Sequence, residues 1–337
     1  MRQKKSVTSG SDFRIMNEVL DVLHGRSAKA ISTARNELLA MPVEGKGHEA
    51  LKYYATSWDD TSHPGILSLA CEAVGGRADK AVPMQVATLV LTAAMDIHDD
   101  VIDHSRTKNG RLTVFGKFGK DIALLTGDAF WLKGFTLLHD AVGKFPHETQ
   151  EAIVKTIRKN FYDVGNAHML ELMLKGNLDV SPREYLRVLE MKASNISVHA
   201  AIGAMVGGGS PVEIKNLEKY GRILGMLITL REEFVDVFEP EELRNRAKNE
   251  CLPLPLLYTI EDAVSKDLVI KILSKTEVSE KDAERIVTTV FGSKKVQLLR
   301  RRMQGWSREA LRIVSGLPRS NATSTLSKLI MGALEDL

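Results

Sequence analysis

Two acidic clusters in this chain share one spacing and could hold a cation between them. The first runs from Asp99 to Asp103 as Asp-Asp-Val-Ile-Asp, and the second runs from Glu232 to Asp236 as Glu-Glu-Phe-Val-Asp. In a helix, positions i, i+3 and i+4 share a face, so each cluster can direct its carboxylates towards one point. Because like charges repel, we expect a cation there, and Mg²⁺ prefers carboxylate and phosphate oxygens. The clusters therefore suggest a metal-bridged diphosphate.

Acidic residues with this spacing are also common on solvated helix faces, so the surrounding sequence matters. The first cluster follows a long apolar stretch from Ala81 to Met95, which has few polar interruptions. Such a stretch predicts a mostly buried helix. Charge at the end of a buried helix is costly unless it is paired or bound to a metal. The second cluster also follows apolar residues, at Leu224, Leu227 and Ile228.

Composition excludes several other classes of protein. A chain of 337 residues with 44% hydrophobic residues can bury a large core. We expect no signal peptide and no membrane span, and so a cytoplasmic protein. The net charge of +3 is too small to suggest nucleic-acid binding. Cys71 and Cys251 fit neither a disulfide framework nor a zinc site, so we expect buried, reduced thiols.

The elements that must position the clusters are predicted to be helices. Residues 1–12 are polar, basic and serine-rich, and they are expected to form a flexible tail. From residue 13 onward, helix-length stretches alternate with Gly- and Pro-containing breaks, and alternating β-branched patterns are scarce. We therefore predict an all-α fold with one large helical domain over residues 13–337.

Several segments in a fixed order resemble the polyprenyl synthetase family, the trans-isoprenyl diphosphate synthases. The resemblance covers most of the chain from about residue 50 onward. These segments are Ile97–Asp103, Gly110–Val114, Gly119–Ala129, Met191–Ala193, Gly225–Asp236, Lys248–Pro255 and Gly316–Pro318.

The resemblance implies a helical bundle of the isoprenoid synthase type around a deep central cavity, with both acidic clusters at its mouth. It also implies a Mg²⁺-dependent prenyltransferase, with Mn²⁺ as an alternative metal, whose donor is an allylic isoprenyl diphosphate. Metal ions and basic side chains would neutralise the leaving diphosphate. An apolar cavity would protect the resulting carbocation from water. Members of this family usually form homodimers.

The same resemblance assigns roles to individual residues. Asp99, Asp103, Lys192 and Asp236 correspond to catalytic positions. The metal ligands would be Asp99, Asp100, Asp103, Glu232, Glu233 and Asp236, although the glutamates replace the usual aspartates. The substrate-binding positions would be Lys108, Arg111, Lys192, Lys248, Ala94 and Met95.

Departures from the family pattern lie where a second diphosphate would bind. Family members that use isopentenyl diphosphate carry a Gly-Lys-Arg-x-Arg-Pro string ahead of the first cluster, and the corresponding stretch here is Trp58 to Pro64. It contains Asp59, Asp60 and Thr61 instead of basic residues, and an acid repels a diphosphate. The Arg-Arg-Gly string after the first cluster becomes Lys-Asn-Gly at residues 108–110, which removes another cation.

These departures favour transfer of the prenyl group to an unknown acceptor other than isopentenyl diphosphate. Trp58 and His63 could line the pocket for such an acceptor, or they could belong to a surface loop without a role. Three alternatives stay open. They are a conventional chain-elongating synthase that makes geranylgeranyl or longer products, a terpene-synthase-like cyclase, and a non-catalytic subunit of a heteromeric synthase.

Two further features bear on the product and its release. Side chains one turn before Asp99 project along the helix into the expected cavity. In the family that this chain resembles, a bulky aromatic residue there blocks long products, so small Ala94 and flexible Met95 suggest a long prenyl chain. The basic run from Lys294 to Arg302 could contact an anionic membrane, although most such runs are solvated helix faces.

Overall fold

A computed structural model describes residues 14–58, 60–108, 110–275 and 278–335, and about four-fifths of these residues lie in helices. The tail predicted for residues 1–12 lies outside this part of the chain. The helices are α1 (Arg14–Leu39), α2 (Gly45–Ser57), α3 (Ser62–Ala73), α4 (Ala78–Ile102), α5 (Val114–Phe118), α6 (Lys120–Val142), α7 (His147–Leu174), α8 (Pro182–Lys192), α9 (Ser194–Val206), α10 (Pro211–Val237), α11 (Pro240–Asn249), α12 (Leu254–Thr259), α13 (Ala263–Leu273), α14 (Glu280–Gly292), α15 (Lys294–Ser315) and α16 (Asn321–Gly332). Strands β1 (Thr107–Lys108) and β2 (Arg111–Leu112) pair antiparallel. The predicted all-α class is confirmed.

The chain divides into two compact units, each assembled from separate stretches of sequence. Unit 1 contains the described residues up to Thr156, with His199–Leu217 and Leu317–Lys328. Unit 2 contains Ile157–Val198, Glu218–Gly316 and the described residues from Leu329 onward. The single domain and the central cavity expected from the sequence stay predictions.

Helix α4 forms the centre of unit 1 because most of its length is apolar. It packs most extensively against α6 and also contacts α1, α3 and α5. Its side chains Leu89, Val90, Ala93 and Ala94 are at most 1% exposed and belong to one apolar cluster with residues of α1, α2, α5 and α6. The burial predicted for the stretch before the first acidic cluster is confirmed. Removal of this apolar surface from water contributes about 25 cal/mol per Å² to folding.

Two of the polar residues that interrupt α4, Gln85 and Thr88, donate hydrogen bonds within unit 1. The Gln85 side-chain amide donates to the carbonyl oxygens of Pro64 (2.6 Å) and Arg26 (3.1 Å). The Thr88 hydroxyl donates to the carbonyl oxygen of Met84 in the preceding turn. A buried polar group without a partner costs free energy, so these bonds offset that cost for the Gln85 amide nitrogen and the Thr88 hydroxyl.

Helix α4 is also the one described helix that is long and apolar enough to cross a membrane. Most of this apolar segment is buried inside the protein, as it is in the core helices of soluble proteins that meet the same criterion. Its apolar character is therefore weak evidence for a membrane span.

Unit 2 contains most of α7, all of α8, most of α10 and the helices from α11 to α15. Helix α12 contacts α8, α14 and α15. The aromatic residues Tyr185, Tyr220 and Phe234 are fully buried. Cys251 of unit 2 and Cys71 of unit 1 are both buried free thiols, as predicted.

Helix α9 approaches α3 in unit 1 closely enough to require glycine at position 203. A Cβ atom there would lie 2.2 Å from the carbonyl oxygen of Leu67. We expect Gly203→Ala to lower the free energy of unfolding by about 1–3 kcal/mol, since two backbones would have to separate. Denaturant unfolding measures this change.

Gly25 on α1 provides a matched control. It is exposed, and a Cβ atom there would meet no other atom within 4 Å. Alanine favours a helix over glycine by about 1 kcal/mol, so Gly25→Ala should stabilise the protein. Equal effects of the two substitutions would contradict the close approach at Gly203.

Candidate active site

The first acidic cluster lies at the C-terminal end of α4. Asp99 and Asp100 belong to the last turn, and Asp103 follows the helix and donates its backbone N–H to the carbonyl oxygen of Asp99. Asp100 is buried, Asp99 is partly buried and Asp103 is exposed. A helix carries partial negative charge at this end. The carboxylates therefore need a cation nearby.

Lys108 supplies part of that positive charge from strand β1. Its Nζ lies 3.7 Å from Asp96 Oδ1 and 3.8 Å from Asp100 Oδ1. Burial raises the pKa of Asp100 to about 7, and the neighbouring acids add to this effect although Lys108 opposes it. The lysine predicted to bind substrate thus contacts the acidic cluster itself.

Asp60 and His63 form an ion pair at the start of α3. The Asp60 Oδ1 atom accepts the backbone N–H groups of Ser62 and His63, and Oδ2 lies 2.8 Å from His63 Nδ1. Burial opposes the charge of Asp60, but His63 outweighs it and lowers the pKa of Asp60 to about 2. Burial likewise opposes the charge of His63, but Asp60 raises the pKa of His63 overall. Two residues of the stretch that corresponds to the family's basic string therefore neutralise each other.

His199 lies beside this pair and was missed by the sequence analysis. Its ring is 4.8 Å from that of His63, and the residue is 2% exposed. Asp96, one turn before the first cluster, is also close enough to raise the pKa of His63. His199 interrupts an apolar run on α9. An isolated polar residue in such a run was the sequence signal that could have identified it as a candidate site residue.

His98, next to the first cluster, packs between α4 and α6. Its Nδ1 atom accepts from the Trp131 indole (3.2 Å), and its Nε2 atom lies 3.3 Å from the carbonyl oxygen of Leu124. A Cβ atom at Gly127 would lie 2.5 Å from His98 Nε2. These contacts fix α4 against α6 and give His98 a packing role.

The second acidic cluster occupies the last two turns of α10 in unit 2. Glu232 is exposed, whereas Glu233 is 5% exposed. Arg246 of α11 bridges Glu233 and Asp236. Its Nη2 lies 2.8 Å from Glu233 Oε1, and its Nη1 lies 2.7 Å from Asp236 Oδ2. The sequence analysis missed Arg246, because no motif relates it to residues ten or more positions earlier.

The remaining predicted site residues have different surroundings. Lys192 pairs with Glu171 of α7 within unit 2. Lys248 and Arg111 are exposed. Ala94 is fully buried in the core of unit 1, and Met95 is partly buried. Their roles in substrate binding stay predictions.

The oxygen donors of the first cluster suit a hard divalent cation. Mg²⁺ commonly takes one or two protein carboxylates and completes its shell with water and substrate phosphates. Within the described residues, no group of three or more His, Cys, Asp or Glu is placed to hold a metal by itself. Asp99 and Asp103 would therefore need diphosphate oxygens as further ligands.

Comparisons with known proteins agree on one family. The sequence pattern of the family described as Polyprenyl synthetase matches residues 48–290. A short chain isoprenyl diphosphate synthase from Methanothermobacter thermautotrophicus is 28% identical over 82% of this chain and 81% of its own length. A geranylgeranyl diphosphate synthase from Methanosarcina mazei is 27% identical over 81% of this chain and 84% of its own.

Solved structures show the same fold. The geranylgeranyl pyrophosphate synthetase from Pyrococcus horikoshii superposes with a TM-score of 0.83 at 20% identity, over 96% of this chain and 99% of its own. A decaprenyl diphosphate synthase from Rhodobacter capsulatus gives a TM-score of 0.79 at 19% identity, over 95% of this chain and 98% of its own. The predicted isoprenoid synthase fold is confirmed.

The Asp60–His63 pair predicts a specific dependence of stability on pH. Asp60 contributes stability above its unfolded pKa of 3.8 and loses it as the pH falls through about 2. His63 contributes below its unfolded pKa of 6.5 and loses it as the pH rises through its raised pKa. The pair should therefore stabilise the fold most between these limits.

We expect His63→Gln to lower the free energy of unfolding by about 2 kcal/mol near pH 5.5, and by less near pH 9. Denaturant unfolding of both proteins at the two pH values measures the difference. His24→Gln, at an exposed histidine of α1, is the control and should show no such change. If His63→Gln lowers the free energy of unfolding equally at both pH values, the result would contradict the ion pair.

Proposed function

Because this chain belongs to the polyprenyl synthetase family, we propose that it elongates an allylic isoprenyl diphosphate with isopentenyl diphosphate. The enzyme class predicted from the sequence, a transferase of prenyl groups, is confirmed. Relatives named as geranylgeranyl diphosphate synthases support a product of that type. They favour the conventional synthase over the different acceptor that the sequence analysis preferred.

The observation that carries this proposal is the acidic cluster at the end of a buried helix, in a chain matched by the family over residues 48–290. Asp99 and Asp103 would hold Mg²⁺ together with the diphosphate of the allylic substrate. Bound Mg²⁺ would neutralise charge on the leaving diphosphate. Buried α4 would keep Asp99 at a fixed position, since its apolar face is held by α6.

Turnover assays test the proposal directly. The protein is incubated with Mg²⁺ and farnesyl diphosphate, with and without isopentenyl diphosphate, and the products are identified by mass spectrometry. We expect longer prenyl diphosphates only when isopentenyl diphosphate is present. Asp99→Asn should lower kcat at least about 100-fold, because stabilisation of the leaving group is lost.

Asp140→Asn is the matched control, since Asp140 is exposed near the end of α6 and has no proposed role. It should retain full activity. Absence of elongation in the presence of isopentenyl diphosphate, with farnesyl diphosphate still consumed, would overturn the proposal.

A different acceptor is the second candidate function, and the Asp60–His63 pair favours it. The pair occupies the stretch where the family carries basic residues, and it offers no net positive charge to a second diphosphate. A neutral nucleophile would not need that charge. Consumption of farnesyl diphosphate without elongation, described above, would favour this candidate over the first.

We also propose that the chain forms a homodimer through the outer face of α6. Leu125, Leu132 and Phe135 share that face and are 66%, 71% and 46% exposed. Exposed apolar stripes of this kind mark interaction surfaces. The opposite side of α6 is covered by α4.

We expect Leu132→Glu to convert the dimer to a monomer, because a charge would be buried without a partner. Light scattering after size-exclusion chromatography measures the mass. Val264→Glu, at a position 79% exposed on α13, should leave the mass unchanged. A wild-type monomer, or a dimer that persists in Leu132→Glu, would contradict this interface.

Cytoplasmic location, product length and contact with a membrane stay predictions. The basic run lies on α15, where Lys294, Lys295, Arg301 and Arg302 are exposed. Leu298 in the middle of the run is 60% exposed.

A further inference from the structure

The second acidic cluster of unit 2 already contains a cation. The Arg246 guanidinium contacts Glu233 and Asp236 at 2.8 and 2.7 Å, and its side chain is only 5% exposed. Each terminal nitrogen of the guanidinium thus pairs with a different carboxylate. Charge-assisted bonds of this length are among the strong hydrogen bonds of proteins.

The rest of the guanidinium is bound by other elements of unit 2. Its Nε donates to the carbonyl oxygen of Cys251 (2.8 Å), and Nη2 donates to the Tyr185 hydroxyl (2.7 Å). Burial and Glu233 raise the pKa of Tyr185 well above its usual value, so the hydroxyl keeps its proton. Arg246 therefore connects α8, α10, α11 and the segment before α12.

Both carboxylate oxygens of Glu233 accept hydrogen bonds. Oε1 accepts from Arg246 and from the Tyr185 hydroxyl (3.1 Å), and Oε2 accepts the backbone N–H of Leu254 (2.7 Å). A divalent cation at Glu233 would have to displace these donors. Displacement would leave buried polar groups without partners, which is costly.

One carboxylate oxygen of Asp236, Oδ2, accepts a hydrogen bond from Arg246 Nη1 (2.7 Å). A metal ion that bridged Glu233 and Asp236 would have to displace a donor from Glu233, and it would lie close to the guanidinium, so the two cations would repel each other. A buried ion pair of this kind is maintained only when its hydrogen bonds are satisfied. That condition is met here. The cluster does not fit a metal ion at Glu233 and Asp236.

We propose that Arg246 is the permanent counter-ion of the second acidic cluster, and that Glu233 and Asp236 position the end of α10 and do not bind a divalent metal. Glu232 is then the exposed carboxylate of this cluster that stays available to substrate or metal. Arg246 is a positioning residue in this account. The proposal refines the metal chemistry of the proposed function and rests on it, but it is tested by ion binding without turnover.

The first test measures Mn²⁺ binding by electron paramagnetic resonance in the presence of inorganic diphosphate. The full-length wild-type protein is compared with Asp99→Asn and Asp236→Asn. We expect Asp99→Asn to weaken Mn²⁺ binding by about 10-fold or more and Asp236→Asn to leave the affinity unchanged. Weakening in Asp236→Asn as large as in Asp99→Asn would overturn the proposal.

The second test removes the arginine and asks whether a metal can replace it. Arg246→Gln should lower the melting temperature, because two carboxylates lose their counter-ion. Added Mg²⁺ should raise the melting temperature of this variant more than that of the wild type. The extra rise should vanish in the double variant Arg246→Gln/Asp236→Asn. An Mg²⁺ effect equal to that of the wild type would overturn the proposal.

Arg244→Gln on the same helix is the matched control, and its response to Mg²⁺ should equal that of the wild type. If Arg246→Gln fails to fold, the Mn²⁺ affinity of Asp236→Asn decides the question alone. If Asp99→Asn binds Mn²⁺ normally, the metal site of the proposed function fails, while the Asp236→Asn result still decides the role of Arg246. The two failures are therefore distinguishable.

Discussion

The gathering of carboxylates at the C-terminal ends of two helices is the constraint on which both units depend. A helix carries partial negative charge at that end, so acids there raise the energy unless a cation balances them. In unit 1 the cation is Lys108, on the strand that follows α4. In unit 2 it is Arg246, on the helix that follows α10. Each cluster is thus balanced within its own unit by the next element along the chain.

The two cations differ in how firmly they are held, and this difference separates the clusters chemically. Lys108 is about half exposed and lies 3.7–3.8 Å from its partners, so solvent and a further ion can approach. Arg246 is buried, and its planar guanidinium makes several short bonds at once. The first cluster therefore suits metal-assisted chemistry, while the second is largely an internal ion pair. Similar spacing in the sequence has produced two different electrostatic environments.

The stretch from Trp58 to Pro64, where a second diphosphate was expected to bind, repels an anion less than its sequence suggested. Asp60 taken alone would repel a diphosphate. In the structure its charge is balanced by His63, and the N–H groups at the start of α3 also bind it. The pair therefore adds little net charge, so it neither strongly repels nor attracts a second diphosphate. The pair does not supply the positive charge of the basic residues in the family's Gly-Lys-Arg-x-Arg-Pro string. The affinity for a second diphosphate is therefore the quantity to measure.

The sequence by itself determined the helical class, the buried α4 and the family, because these depend on periodicity and on motifs that are local in the chain. It also located both acidic clusters and predicted that they need cations. Only the tertiary structure decided which cations they have. Arg246 meets Glu233 and Asp236, and His199 meets His63, through packing that no local pattern encodes. Partnership between charged groups depends on distance and burial, and the fold sets both of these.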